Sequence, residues 1–378
     1  MAYGPDGYDT VVKAFEAANP GVKVEVQHAA NDGTTILQSR FNSGDIPDVF
    51  ACEPGSSAQS YYEYAYDWSN DTDVLNLFKA GTTDLGKDTT DGKVKGLPWT
   101  YENMGLIYNK DCFAKAGITT LPTTMDELAD DCAKLKAAGI QPFSIAAKET
   151  WVLGQLSTHF MMDKSLDAKG TVDAIESGKL KFADMPHWNN LFTFLDLVKK
   201  YDSGKVLETD WETSENDVAT GKAAMLHMGD WAQANFTKFN ASAKLGFIPF
   251  PVGNGKADAT VLISVGWVYL VNKDSKNLDL AKKYTTFILT SKEAQKWMTE
   301  DIDGVPCCNT DMSPSGDLPK DAQTYINAGE TNGWIHTIVP TDYGDTCGAL
   351  LQSYLSGGMS KDDVTKGFQD YFDSADSE

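Results

Sequence analysis

Arginine is almost absent from this sequence: Arg40 is the only one in 378 residues. Positive charge in general is scarce, with 32 Lys and Arg against 54 Asp and Glu and a formal net charge of −22. Neutralising a phosphate backbone takes a basic face, and forked recognition of phosphates takes arginine, so nucleic-acid binding is excluded. The same scarcity argues against a phosphorylated or carboxylated ligand, although lysines and helix N-termini can also receive an anion. No uninterrupted apolar run approaches the roughly 18 residues that span a bilayer. Cysteine is sparse, and Cys52, Cys112, Cys132, Cys307, Cys308 and Cys347 contain no CxxC pair and no zinc-type Cys/His spacing, so no metal site is expected. One or two disulfides and free buried thiols both remain open, with adjacent Cys307 and Cys308 poorly placed to bond each other. The opening Met1-Ala2-Tyr3-Gly4-Pro5 lacks the apolar stretch of an export signal, as expected of a trimmed mature chain.

Catalytic motifs are missing as well. There is no GxSxG, HExxH, phosphate-binding loop or GxGxxG, and His28, His159, His187, His227 and His336 are scattered along the chain. No catalytic residue, metal or cofactor is therefore expected. Glu53, Glu102 and Glu149 fall near expected strand ends, and two of them form in principle the acid/base pair of a glycosidase. In a chain this acidic, surface charge is the simpler reading of each.

What is present is a globular composition, 42% hydrophobic and 11% aromatic, with a length that suits two domains. Val11, Val12, Phe15 and Ala18 recur at helical spacing until Asn19-Pro20-Gly21, after which Val22, Val24 and Val26 alternate as in a strand. A helix around 34–42 precedes Pro47-Asp48-Val49-Phe50-Ala51, a short buried strand that delivers Cys52 and Glu53 to its C-terminal end, where open α/β sheets bind ligands. Met104–Tyr108 reads as a strand; Thr124 with Glu127 opens a helix as a capping box, and Gly139 closes it. Trp188, Leu191, Phe192, Leu195 and Val198 keep one helical face, Ala223–Met228 reads as a buried strand, and Gly229-Asp230-Trp231 begins a helix. Strands follow at 245–250 and 261–271, then a helix carrying Leu278 to Ile288. The last helix is capped by Ser360 with Asp363 and buries Val364, Phe368 and Phe372. No repeat or low-complexity linker divides the chain, so strands that cross between the lobes are the expected boundary.

Aromatic residues beside polar ones at loop positions rise above this background. Trp99-Thr100-Tyr101-Glu102-Asn103 follows Gly96-Leu97-Pro98, Trp151 follows Glu149-Thr150, Trp231 follows Gly229-Asp230, and Trp267 follows Ser264-Val265-Gly266. A pyranose offers an apolar C–H face to an aromatic ring and a rim of hydroxyls to carboxylates and amides, so this chemistry suits a sugar. Trp68, Trp188, Trp297 and Trp334 lack that setting and read as packing.

The chain resembles the extracellular solute-binding proteins of ABC importers, in the sugar-binding group that includes the maltose-binding protein. The resemblance is carried in order by Ala14-Phe15-Glu16-Ala17-Ala18-Asn19-Pro20-Gly21-Val22-Lys23-Val24, Asp45-Ile46-Pro47-Asp48-Val49, Leu106–Phe113 with Ala116-Gly117, Leu121–Leu128, Gly221–Met225 with Gly229-Asp230-Trp231, and Ser291–Gln295. It implies an α/β, two-lobed periplasmic-binding-protein fold with hinge strands crossing between lobes, one lobe at residues 1–109 plus 263–307 and the other at 110–262 plus 308–378. It places ligand-binding residues at Tyr3 and Asp6, at Glu53, at Tyr101, Glu102 and Asn103, around Glu149 and Trp151, at Trp231, at Ser264 to Trp267, and at Tyr343 and Asp345 ahead of the penultimate helix. Relatives open with a full apolar strand and a lipobox cysteine that this chain does not contain, so anchoring is inferred. Where relatives often place an aromatic after Pro-Asp-Val-Phe-Ala, this chain has Cys52, which leaves Glu53 as the expected contact.

The function implied is a monomeric, non-catalytic bacterial protein, extracytoplasmic as a cell-surface lipoprotein or in the periplasm. It captures a neutral oligosaccharide in the interlobe cleft for an ABC permease's transmembrane subunits. No nucleic acid is expected as a partner, and the membrane only through a lipid anchor outside this chain. Two rival readings stand beside it: a glycoside-active enzyme using two of the same carboxylates, and the same fold holding a peptide or polyamine, which the acidity favours and aromatic rings can box.

Overall fold

The computed structural model describes residues 7–27, 33–162, 167–201, 204–340 and 342–375. Helices alternate with ten strands among these residues: β1 (Val49–Cys52), β2 (Leu97–Pro98), β3 (Thr100–Asn109), β4 (Gln141–Phe143), β5 (Ala223–Gly229), β6 (Leu245–Ile248), β7 (Val261–Val265), β8 (Val268–Val271), β9 (Val305–Pro306) and β10 (Thr331–Gly333). The chain forms two compact units, unit 1 from Met1–Glu102 and Ser264–Ser315 and unit 2 from Asn103–Ile263 and Gly316–Glu378. Each has its own apolar core. The chain passes between the units at 102/103, 263/264 and 315/316, where the family resemblance implied 109/110, 262/263 and 307/308. Sequence signals mark the ends of elements, whereas β3 runs unbroken through the first passage and a strand interior carries no punctuation.

Unit 1 joins a small sheet to two packed helices. Helix Tyr8–Ala18 forms because Tyr8, Val11, Val12 and Phe15 share one face, and that face lies against helix Leu278–Thr290. There the Tyr8 and Tyr284 hydroxyls meet at 2.7 Å and the Phe15 ring sits 4.9 Å from that of Tyr284. The sheet order is β1-β8-β2, antiparallel throughout, with both Cys52 and Pro98 opposite Val268. Burial alternates along residues 21–27 as expected, but these residues join no strand among the described residues.

In unit 2 the strand order is β10-β7-β3-β5-β4, with β6 also pairing β3. β4 runs parallel to β5, with Phe143 opposite Met225, and β10 runs parallel to β7, with Gly333 opposite Ile263. Helix Met125–Ala137 is capped by the Thr124 hydroxyl, which accepts the Glu127 N–H at 3.2 Å. The Glu127 carboxylate reaches one residue further back than a capping box requires, to the N–H of Thr123 at 2.8 Å. The Ser360 and Asp363 cap of helix Lys361–Ala375 is reciprocal, as expected. Helices Thr150–Met161 and Tyr343–Leu355 pack closely, for a Cβ at Gly348 would stand 2.0 Å from the Thr150 carbonyl oxygen.

One expectation is corrected here. The run 261–271 is not one strand, because Gly266 and Trp267 break it into β7 and β8. All six cysteines are free and buried, in line with the thiol alternative. No described helix is long and apolar enough to cross a membrane.

Candidate functional site

Parallel strands carry their C-terminal ends, and the loops that follow, to one edge of a sheet. In unit 2, β4 leads to Glu149 and Trp151, β5 leads to Asp230 and Trp231, and β10 leads to Trp334 and His336. The Trp231 and Trp334 rings stack 6.0 Å apart at 13°, and His336 stacks on Trp334 at 4.8 Å. Gly229 is a requirement of this arrangement, since a Cβ there would lie 1.9 Å from the Trp231 ring that folds back over it. Trp334 is 3% exposed and its indole N–H donates to the Thr158 hydroxyl at 2.8 Å. It is packing, as expected, but packing that supports the more accessible ring of Trp231.

A second aromatic pair shares the scaffold. Trp151 and Trp211, both partly buried, meet edge to face at 5.8 Å. Trp211 opens helix Trp211–Ala219; its backbone N–H donates to Glu149 at 3.0 Å and its indole N–H to Glu215. The other Glu215 oxygen accepts the Asn235 amide at 3.0 Å, and Asn235 lies on helix Gln233–Phe239, which begins two residues after Trp231.

Two carboxyls here are buried with no cation paired to them among the described residues. Asp230, 3% exposed, accepts the backbone N–H of Asn103 at 3.0 Å and its side-chain amide at 2.7 Å. Burial pushes its carboxyl up to about 7 against the pull of those donors. Glu215, fully buried, is likewise pushed up to about 7 by burial, with the charges of Glu212 and Glu149 adding to the effect. Burial raises Glu149 as well.

Unit 1 gathers its candidates at one end of its sheet. The β1-β8-β2 register brings together Glu53 after β1, Trp267 before β8, and Tyr101 and Glu102 after β2. Trp99 donates its backbone N–H to the Trp267 carbonyl at 3.3 Å, while its ring is buried 5.6 Å from that of Trp297. Glu53 is exposed, Tyr101, Glu102 and Trp267 are partly buried, and Ser264 is buried. The Glu102 carboxylate fills the space beside Gly266 that a side chain would take. The Lys79 ammonium lies 5.3 Å from the centre of the Tyr101 ring.

Several placements differ from those expected. Tyr343 lies inside the first turn of its helix rather than ahead of it, is 1% exposed, and has its hydroxyl 2.5 Å from that of Ser157 and 3.0 Å from the Met161 Sδ. It is a core residue, and its assignment to ligand contact is corrected. Asn103 is fully buried and holds Asp230 instead of facing solvent. Asp345 is exposed and accepts the Thr150 hydroxyl at 2.6 Å, beside Trp151. Asp6 and Tyr3 lie outside the described residues. Two of the scattered histidines meet: His159 Nδ1 and His227 Nε2 are 3.0 Å apart in the core, and burial holds both well below the usual imidazole range. Among the described residues no cluster of side chains suits a metal ion. Trp211 was missed although Asp210-Trp211-Glu212 carries the same acid-flanked signal as Asp230-Trp231; Glu215 is detectable only through its i,i+4 spacing from that ring.

Residues 2–296 match the family described as bacterial extracellular solute-binding protein. The chain belongs to that family. This solute-binding protein is 27% identical over 308 residues to the Multiple sugar-binding protein of Streptococcus mutans, covering 78% of this chain and 70% of the relative. Among solved structures it is similar to a chitin oligosaccharide binding protein, with a TM-score of 0.81 at 22% identity over 100% of this chain and 98% of the other. It is similar also to the solute-binding protein RafE in complex with raffinose, with a TM-score of 0.81 at 21% identity over 97% and 95% of the two chains. These likenesses establish for the solute-binding protein the α/β periplasmic-binding fold expected from its sequence.

Proposed function

We propose that this solute-binding protein is the substrate-binding component of an ABC transporter. Outside the cytoplasm, at the cell surface or in the periplasm, it captures a neutral oligosaccharide and delivers it unchanged to a membrane permease. The observation that carries this reading is the accessible Trp231 ring, stacked on Trp334 and sharing its scaffold with the Trp151/Trp211 pair at the strand ends of unit 2. Flat indoles receive the C–H face of a pyranose, and Glu149 and Asp345 beside them accept its hydroxyls. Glu53, Tyr101, Glu102 and Trp267 of unit 1 are proposed as further sugar contacts. The names of the relatives, which bind multiple sugars, chitin oligosaccharide and raffinose, support the ligand class. The single arginine supports a neutral ligand.

Calorimetric titration with raffinose, stachyose and chitin oligosaccharides, followed by recovery of each sugar, tests the reading. Micromolar or tighter binding of one class with the sugar intact is the expected result. Release of hydrolysis products would make the protein a glycoside-active enzyme. Failure of the whole panel to bind, with uptake of a polyamine or cationic peptide instead, would overturn the sugar assignment.

A further inference from the structure

Among the described residues, the side chain of Glu215 is the one fully buried carboxylate shown to touch an aromatic ring of the candidate site directly. Its two oxygens are both in use, one taking the indole N–H of Trp211 and the other the amide of Asn235. Through Trp211 it acts on Trp151, which meets that ring edge to face, and through Asn235 it reaches the helix that follows Trp231. An ionised carboxylate accepts on both oxygens, and a charge-assisted bond is roughly twice as strong as a neutral one. A protonated carboxyl needs an acceptor for its own O–H. Asn235 supplies one only by turning its amide round, and the Trp211 bond that remains is then the weaker, neutral kind.

We infer that Glu215 is a positioning residue whose ionised carboxylate fixes the Trp211 ring against Trp151, so that ligand affinity at this surface rises with pH. The second half rests on the sugar-binding reading; the first does not. The charges acting on Glu215 favour a transition within the range where proteins are handled. Glu212 on its own helix and Glu149 ahead of helix Thr150–Met161 both oppose ionisation. The nearby Lys148 is engaged by Asp210 at 3.2 Å, and Asp217 further along the helix by Lys222. Helix Gln233–Phe239 contributes the neutral Asn235, its Lys238 being exposed, and the only titratable side chain of β5 is His227, held neutral by burial.

The test is the indole N–H resonance of Trp211 in nitrogen-15-labelled protein, assigned by its loss in Trp211→Phe and followed from about pH 5 to about pH 9, the range that brackets a shifted carboxyl. In the wild type the resonance moves downfield in one transition as pH rises; in Glu215→Gln it stays at the low-pH wild-type position, while thermal unfolding verifies that the variant is folded. Affinity for whichever of raffinose, stachyose or chitin oligosaccharide binds rises a few-fold across the same transition in the wild type, and that rise is reduced in the variant, where Asp230 is left as a carboxyl of this surface that titrates in the same range. A Trp211 resonance that ignores pH in the wild type, or one that titrates equally in Glu215→Gln, would overturn the positioning role. A sugar affinity with the same pH profile in both proteins would overturn its consequence for binding. Should no sugar bind at all, the proposed function falls, while the resonance still decides what Glu215 does.

Discussion

Trp231 holds its place because position 229 has no side chain and because Asp230 ties the turn to Asn103. Each of these supports has a measurable consequence. Gly229→Ala puts a methyl group within 1.9 Å of the indole, so the ring must leave the face of Trp334. Sugar affinity is expected to fall by about 1–3 kcal/mol, as for loss of a stacking partner, with circular dichroism unchanged; undiminished affinity would separate the ring from the ligand. Asp230 acts on stability instead. Its carboxyl is raised from 3.8 to about 7 in the fold, so the folded state favours the neutral form. The cost of ionising it is absent well below the unfolded value, grows as pH rises, and is complete above the folded value. Asp230→Asn removes that pH-dependent cost but loses one acceptor for Asn103, so its stability relative to the wild type should rise by on the order of a few kcal/mol between about pH 4 and about pH 8. Melting temperatures of the two proteins that stay parallel with pH would contradict this.

At the scale of elements, unit 2 depends on the close approach of helices Thr150–Met161 and Tyr343–Leu355. Gly348→Ala forces a methyl group onto the Thr150 carbonyl oxygen, 2.0 Å away, and is expected to destabilise by about 1–3 kcal/mol in denaturant titration. A neutral substitution would mean that the helices separate at no cost. Element ends with local causes were readable in the sequence. The caps at Thr124 and Ser360, the glycine after helix Met125–Ala137, and the buried strand before Glu53 all follow from neighbours within four residues. Features set by distant partners were not. Nothing near Tyr343 announces that its hydroxyl turns to Ser157, 186 residues away. Likewise the break between β7 and β8 is a matter of which strands each half pairs with, for β8 lies between β1 and β2 while β7 pairs with β10. The site was legible where a tryptophan carries its own glycine and acid, as at 229–231, and illegible where the acid comes from the next helical turn, as at Trp211 and Glu215.

At the scale of the whole molecule, a chain of net charge −22 is held by two apolar cores and by no disulfide. Burial raises the thiols of Cys52, Cys132, Cys307 and Cys347 well above the ordinary range, which suppresses the reactive thiolate. The melting temperature is therefore expected to be the same with and without dithiothreitol, and thiol reagents to modify the cysteines only on unfolding; a drop on reduction would reveal a bridge. Short residue motifs in a fixed order carried the family resemblance through nearly the whole sequence, and the fold and family both hold. The central claim, that a neutral oligosaccharide stacks on Trp231, is tested most directly by titrating raffinose, stachyose and chitin oligosaccharides into the wild-type protein and Trp231→Ala side by side. The wild type should bind one of these classes and the variant should lose about 1–3 kcal/mol of that affinity while melting normally. Equal affinity in the two proteins would contradict the account.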